Sequence, residues 1–345
     1  MDALRHMPAD ASPGQADADV LLRAPARLHL GFLDPGASLG RRFGGLGLVI
    51  DGFETEVGIG AAAELRVSAA DGVGAFDAAR SRDWLLRLQR ESGRPEPVHL
   101  QLRKVLPDHA GFGSGTQLAL AIGRAFAHWH GLDVPTARLA QWLGRGLRSG
   151  IGIAGFDQGG LLVDGGPGMD GEPAPLLARV PLPAAWRVLV VQDHALKGLS
   201  GAQERQHLAA LAPLPRALAA DICHQVLMRV LPGAAGAQFA PFAAGVTRIQ
   251  QVLGGHFAPA QGGRPFTSAA VQRVIDAIAE AEPGAALGQS SWGPTGFAIL
   301  PSQARAQALV DAMQAAQLAA PSVTLRIVAG RNTGATLTDR RRRLD

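Results

Sequence analysis

The stretch LPDHAGFGSGTQLALAIGRAF, residues 106–126, constrains the chain more than any other. Gly111, Gly113 and Gly115 alternate with Phe112 and Ser114, and an unbroken Ala/Leu run follows. Permissive residues placed directly before a strong helix former make a turn whose backbone can approach a ligand closely. A helix N-terminus leaves its first amides unpaired and carries partial positive charge. The three glycines therefore suit a phosphate or pyrophosphate cradle, with the hydroxyls of Ser114 and Thr116 as further donors. A plain strand-to-helix turn capped by Ser114 fits the loop alone equally well. No lysine follows the last glycine, so this is not a Walker loop. The third glycine comes too early for a dinucleotide fingerprint.

Around this loop the pattern is mixed. Residues 1–19, rich in Pro, Ala, Asp and Gly, read as a mobile tail. VLLRAPARLHLGFL predicts two short strands separated by a kink at Pro25, and GLVIDG and ETEVGIG predict two more. Between them lies a glycine-rich loop carrying Arg41 and Arg42. VHLQLRKVLP alternates as a strand, a helix is expected from about Ser114 to His130, and TARLAQWLGRGLRSG reads as a second helix. A Pro-rich segment, EPAPLLARVPLP, marks a lobe boundary and gives lobes of 20–180 and 181–335. The second half is mostly helical, GAQERQHLAALA included, with strands around Val188–Val191, GPTGFAIL and VTLRIVAG. This irregular alternation indicates α+β rather than a doubly wound parallel sheet. The last residues, 336–345, containing RRRR, read as a solvated basic tail.

Composition narrows the function classes. A chain of 345 residues with 47% hydrophobic content can bury a core in two lobes. A net charge of +4, with no aromatic-basic stripe, does not indicate nucleic-acid binding. Lysine occurs only at Lys104 and Lys197, so nearly all positive charge is arginine, suited to bidentate recognition of carboxylate or phosphate. No apolar run is long enough to span a bilayer, and no secretory h-region is visible, which leads to the expectation of a cytoplasmic protein. Cys223, the single cysteine, excludes an internal disulfide and reads as a small buried residue.

Three segments together carry a family resemblance. Pro107, Gly111, Phe112, Gly113 and Ser114 fit the P-x-x-x-G-[LF]-G-S pattern of the GHMP small-molecule kinases. APARLHLGF, from Ala24, resembles that family's first motif, and GQSSWGPTGFAIL, from Gly288, its third. The resemblance implies a two-lobed fold, with a ribosomal S5 domain 2-like N-terminal lobe and a ferredoxin-like C-terminal lobe. It departs at the chemistry. Where many of the kinases place the aspartate of S-G-x-D, Ser149 and Gly150 are followed by Gly152. A glycine takes no proton and holds no metal. The basic residue of the first motif is Arg27, which does not donate a proton at neutral pH. An ATP-dependent kinase of a small alcohol would need another base, such as Asp157, five residues later.

One branch of the superfamily accommodates these departures. Arg41, Arg42, Thr116, Gln117, Arg148, Asp157 and Gln158 stand in segments that resemble the β-ribofuranosylaminobenzene 5′-phosphate synthases of methanopterin biosynthesis. The resemblance implies a pentosyltransferase that joins phosphoribosyl pyrophosphate to 4-aminobenzoate or 4-hydroxybenzoate, releasing CO2 and pyrophosphate. It also implies Mg²⁺, no nucleotide, and a homodimer. On this footing the phosphate-binding set is Gly111, Gly113, Ser114, Gly115, Thr116 and Gln117, with Ser290, Ser291 and Thr295 for a second phosphate. Arg41, Arg42 and Arg148 are expected at the substrate carboxylate, and Asp157 at the metal. Arg27, His29, Arg41, Arg42 and Asp157 form the expected catalytic set. Asp193 and His194, at the end of a strand, are weaker candidates.

Overall fold

The computed structural model describes residues 18–168, 172, 174–198, 206 and 211–341. Most of the expected N-terminal tail, most of the helix expected over GAQERQHLAALA, and the last arginines of the basic run lie outside the described residues.

The first lobe is built on two long strands, β1 (Val20–Asp34) and β2 (Phe43–Ala61), paired antiparallel over most of their length. Two short strands were expected in place of each. Pro25 does not end β1; register shifts between Pro25 and Arg27 and between His29 and Gly31 absorb it. Such bulges bend a strand and re-aim its side chains. Here they bracket Arg27 and His29. β3 (Arg66–Ala69) and β4 (Val98–Lys104) are joined by helix α1 (Ala75–Ser92) and pair parallel. β4 lies beside one half of β2. β5 (Leu161–Asp164) takes the other half, with β6 (Leu176–Val180) outside it. Helices α2 (Ser114–Trp129), α3 (Thr136–Trp142) and α4 (Ile151–Gln158) belong to the same lobe. The helix expected over TARLAQWLGRGLRSG stops at Trp142, because Gly144 and Gly146 adopt positive φ and turn the chain.

The second lobe is a four-stranded sheet, β7 (Arg187–Asp193), β8 (Ala286–Gln289), β9 (Thr295–Leu300) and β10 (Val323–Ala329), in the order β10-β7-β9-β8 with every neighbouring pair antiparallel. Helix Ala269–Ala281 connects β7 to β8, and helix Gln303–Ala315 connects β9 to β10. That order and connectivity make the ferredoxin-like βαββαβ pattern. Their apolar faces form one core with Leu189, Val191, Ala298 and Leu300 of the sheet. A longer helical stretch, Arg216–Ala235 with a π-helical turn at Val226–Val230, is followed by helix Phe239–Phe257. These helices share a core with Leu28, Leu30, Leu46 and Leu48 of the first sheet. On its other side Leu22, Val57 and Leu100 pack against Leu118, Ile122 and Phe126 of α2. The two lobes therefore meet across β1.

The chain returns to the first lobe at its end. Thr336–Asp339 form β11, antiparallel to β1 from Val20 to Arg23. The expectation of a solvated tail from residue 336 does not hold for this strand, whose alternating burial shows one face turned inward.

Candidate active site

The three motif segments meet at the glycine loop. Gly113 precedes α2 in a left-handed conformation, φ +76°, and no side chain caps the helix. Ser114 is not a cap; its hydroxyl donates to Asp108 at 3.3 Å. The first turn of α2 therefore offers backbone amides that no side chain has taken. Phe112 anchors the loop from beneath, fully buried and stacked on Phe53 with centroids 4.6 Å apart.

Arg27 of β1 donates through Nη1 to the carbonyl of Gly111 at 2.9 Å. Its guanidinium lies so close to Gly113 that a Cβ there would come within 3.0 Å of Cζ. Ser290 ties the third segment in. Its hydroxyl donates to the same Gly111 carbonyl at 2.7 Å and accepts from the His29 amide at 2.9 Å. The Ser291 amide donates to the His29 carbonyl at 3.2 Å. A side chain at Gly111 would strike the Ser290 carbonyl, and one at Gly293 the Ala110–Gly111 backbone. These glycines are required by close backbone approach between segments nearly two hundred residues apart.

His29 is buried, and its imidazole is held neutral. Burial, then the nearby charges of Arg27 and Arg148, lower its pKa to about 3. Arg148 is thus placed in the same electrostatic neighbourhood as Arg27. Arg145, which was not foreseen, stands over the Trp84 ring at 5.0 Å and lies 3.5 Å from where a Gly115 side chain would begin. Burial, and then Arg80, lower its pKa from the usual arginine value, partly offset by Asp108. Arg27 and Arg145 therefore bring positive charge to the uncapped helix end, at Gly113 and Gly115.

Gly152 stands where the kinase motif S-G-x-D has its aspartate. Its Cα faces Thr116, and a Cβ there would lie 2.9 Å from the threonine methyl. A side chain at this position would press on Thr116, in the first turn of α2. Gln117, expected to touch phosphate, is fully buried and donates to the Gly152 carbonyl at 3.0 Å, so it joins α2 to α4 instead. The N-terminus of α4 is satisfied from within. Asp164 accepts from the Ser149 hydroxyl at 2.7 Å and from the amides of Gly150 and Ile151 at 2.9 and 3.2 Å. Burial raises its pKa, against the pull of these donors and the Gly166 amide.

Other expected residues lie elsewhere or serve the frame. Asp157 accepts from the Thr136 hydroxyl at 2.6 Å, and Arg124 donates to the same hydroxyl at 2.7 Å. It stands five residues beyond Gly152 on α4, about 7.5 Å farther along the axis from the loop. Burial raises its pKa, offset in part by Thr136 and Arg124. Arg41 donates to the carbonyls of Gly165 and Gly166, and Arg42 to Pro35 at 3.3 Å while stacking over Phe43 at 4.9 Å. Their loop is shaped by buried Asp34, which accepts from the Gly36 and Leu39 amides. Asp193 accepts from Ser268, the cap of helix Ala269–Ala281, at 2.7 Å. Burial raises its pKa, but hydrogen bonds from Ser268, Ala195 and Ser322 outweigh this and leave it lowered. His194 pairs with Thr324 at 2.9 Å. Thr295 is fully buried at the start of β9. Among the described residues no group of three or more His, Cys, Asp or Glu is placed to hold a metal ion. None of their helices is long and apolar enough to cross a membrane.

The comparisons agree with this architecture. Residues 75–160 match the family described as GHMP kinases N terminal domain, and residues 238–319 match GHMP kinases C terminal. A β-ribofuranosylphenol 5′-phosphate synthase of Archaeoglobus fulgidus is 33% identical over 82% of this chain and 88% of its own length. The one from Methanothermobacter thermautotrophicus is 30% identical over 81% of this chain and 88% of its own. Among solved structures, phosphomevalonate kinase of Streptococcus pneumoniae superimposes with a TM-score of 0.65 at 12% identity, over 90% of this chain and 99% of that one. Homoserine kinase of Cytophaga hutchinsonii gives 0.61 at 16% identity, over 95% and 100%.

Proposed function

The chain belongs to the GHMP superfamily and, within it, to the family of the β-ribofuranosylphenol 5′-phosphate synthases, and from that membership we propose that it joins phosphoribosyl pyrophosphate to a para-substituted benzoate, 4-aminobenzoate or 4-hydroxybenzoate, with release of CO2 and pyrophosphate. The observation that carries the reading is the packing of Gly152 on Thr116. The loop keeps the form of a cradle for a phosphorylated ligand, while a side chain at Gly152 would press on Thr116. Asp157, the substitute base that a kinase would need, is held by Thr136 on the far part of α4.

The donor carries anions at both ends of the ribose. The amides at the start of α2, the Ser114 hydroxyl and Arg145 beside Gly115 suit the pyrophosphate. As it leaves, the C1–O bond breaks and charge builds on its oxygens, where fixed donors in a partly buried site count most. The nucleophile is the ring carbon bearing the carboxylate, activated by the para group. A carbon–carbon bond forms to ribose C1. The bond to the carboxylate then breaks, its electron pair restores the aromatic ring, and CO2 departs. No residue needs to form a covalent intermediate. Arg27 and Arg148 are suited to hold the carboxylate, and a grip that loosens as CO2 forms favours the transition state.

Mg²⁺, which this chemistry calls for, would stabilise the leaving pyrophosphate. It needs only one or two protein oxygens, since phosphate and water complete its shell. Asp108, whose other oxygen pairs with His109 Nε2 at 2.8 Å, and Ser114, 3.3 Å from it, would supply those oxygens at the loop. Asp157 stands farther off, at Thr136. Calorimetric titration tests the donor assignment. Phosphoribosyl pyrophosphate with Mg²⁺ is expected to bind, about tenfold more weakly in Ser114→Ala, roughly the loss of one hydrogen bond to a charged group. ATP is expected to give no binding heat; tight ATP binding with none for phosphoribosyl pyrophosphate would reverse the assignment.

A further inference from the structure

Two buried polar atoms near the loop are left unused by this scheme. His29 is 4% exposed and Trp292 2%, and neither His29 Nε2 nor Trp292 Nε1 has a hydrogen-bond partner among the described residues. Buried polar atoms are seldom left so, and each calls for an account. Both side chains line one cavity of about 30 Å³, between β1, helix Phe239–Phe257 and the turn after β8. Two further aromatic rings line it: Phe32 packs on the His29 ring at 4.6 Å, and Phe257 on Trp292 at 4.7 Å.

The glutamines of the wall are committed, and the partly buried Ser291 also lines the cavity. Gln250 donates to the Leu30 carbonyl and accepts from the Gln289 amide. Gln289 accepts from the Thr267 amide and donates to Gln261 and to the Ser291 carbonyl. A ligand here therefore meets two buried open valences, His29 Nε2 and Trp292 Nε1, besides the partly buried Ser291. Indole Nε1–H only donates, whereas the Nε2 of a neutral imidazole accepts when the proton sits on Nδ1. The volume suits one or two water-sized groups rather than a sugar or a phosphate.

We propose that this cavity seats the para end of the aromatic acceptor, a para-hydroxyl accepting from Trp292 Nε1 and donating to His29 Nε2, so that the site prefers a hydroxyl to an amine. This rests on the phosphoribosyl-transfer reading above. An arylamine donates well but accepts poorly, because its lone pair is delocalised into the ring; a phenol does both. Entry by the para end leaves the carboxylate and its ring carbon at the mouth, where the charges of Arg27 and Arg148 are felt. His29 then has a chemical task. By accepting from the phenol it draws the proton outward and raises electron density at the para carbon, the atom that attacks ribose. When CO2 leaves, the proton is again fully on the phenol oxygen, so none is gained or lost.

The test is calorimetry on the full chain with 4-hydroxybenzoate, 4-aminobenzoate and 4-methylbenzoate, the last filling the cavity with no polar atom. Hydroxybenzoate is expected to bind at least tenfold more tightly than the methyl acid and at least threefold more tightly than the amino acid. Trp292→Phe keeps the ring and removes the donor. It should cost hydroxybenzoate about fivefold or more and leave the methyl acid unchanged, and His29→Gln should likewise erode the preference. Phosphoribosyl pyrophosphate affinity reports that each variant is folded. Equal affinity for all three acids, or an equal loss for the hydroxy and methyl acids in Trp292→Phe, overturns the assignment. If phosphoribosyl pyrophosphate binds and no acid does, the cavity is not the acceptor site while the donor half of the reading stands. If neither binds, the transfer reading falls with it.

Discussion

At the scale of single residues, the contact between Gly152 and Thr116 is the one on which the proposed reading leans. A side chain there would press on Thr116, so adding a carboxylate is expected not to yield a kinase. Gly152→Asp is expected to lower stability by about 1–3 kcal/mol through overpacking, read as a fall in melting temperature. Thr116→Ser, which removes the methyl 2.9 Å from the incoming Cβ, should recover part of that loss when the two are combined. Additive effects would mean that the contact does not matter. His29 makes a pH prediction. Its folded pKa, about 3, lies below the ordinary value of 6.5, so at acid pH the unfolded chain binds the proton more readily. Stability is full above about pH 6.5 and is lost as pH falls toward 3, by at most about 1.4 kcal/mol per pH unit for this group. His99, His130 and His256, also lowered chiefly by burial, add to the same limb. In His29→Gln, denaturant titrations between pH 6.5 and 4 should show a shallower decline; an unchanged slope would remove His29 from the account.

At the scale of elements, the loop and helix α2 were legible in the sequence because glycine placement and an Ala/Leu run are local signals. The anchors were not. Asp164, Asp108 and Arg145 act on residues distant in sequence or through turns whose geometry no periodicity announces. Asp164 looks like a strand-end residue before two glycines, yet it satisfies the start of α4. Asp164→Asn would keep the size and lose acceptor strength toward four donors, and an expected cost of about 1–3 kcal/mol follows from weakened hydrogen bonds to a buried charged group. A thermal melt checks it; no change would mean that Gly150 and Ile151 find other acceptors. The bulges of β1 were equally hidden, since Pro25 suggested a break where pairing with β2 carries the strand through. Arg41 and Arg42 were correctly seen as a loop-borne pair, but three of their donor atoms are spent on backbone carbonyls.

At the scale of the whole molecule, the order of three motifs along the chain foretold the two-lobed fold. The strand order β10-β7-β9-β8 gives the second lobe its ferredoxin-like form. The return of the chain was not foretold: β11 has only four residues, too few for alternation to stand out beside the arginines that follow. Deleting residues from Thr336 onward should expose the β1 edge between Val20 and Arg23 and speed amide exchange there. Unchanged exchange would mean that the strand contributes nothing to the sheet. The lobes bring Arg27, Gly111 and Ser290 into one hydrogen-bonded knot, so the site exists only in the assembled fold. That knot sets the backbone of the loop which the proposed function assigns to a sugar diphosphate. The most direct measurement is release of CO2 from carboxyl-labelled 4-hydroxybenzoate, and from the labelled amino acid, by the full chain with phosphoribosyl pyrophosphate and Mg²⁺. Labelled CO2 should appear in step with pyrophosphate and only when the donor is present. Folded protein that releases none from either acid, or that transfers phosphate from ATP to an alcohol instead, would contradict the account.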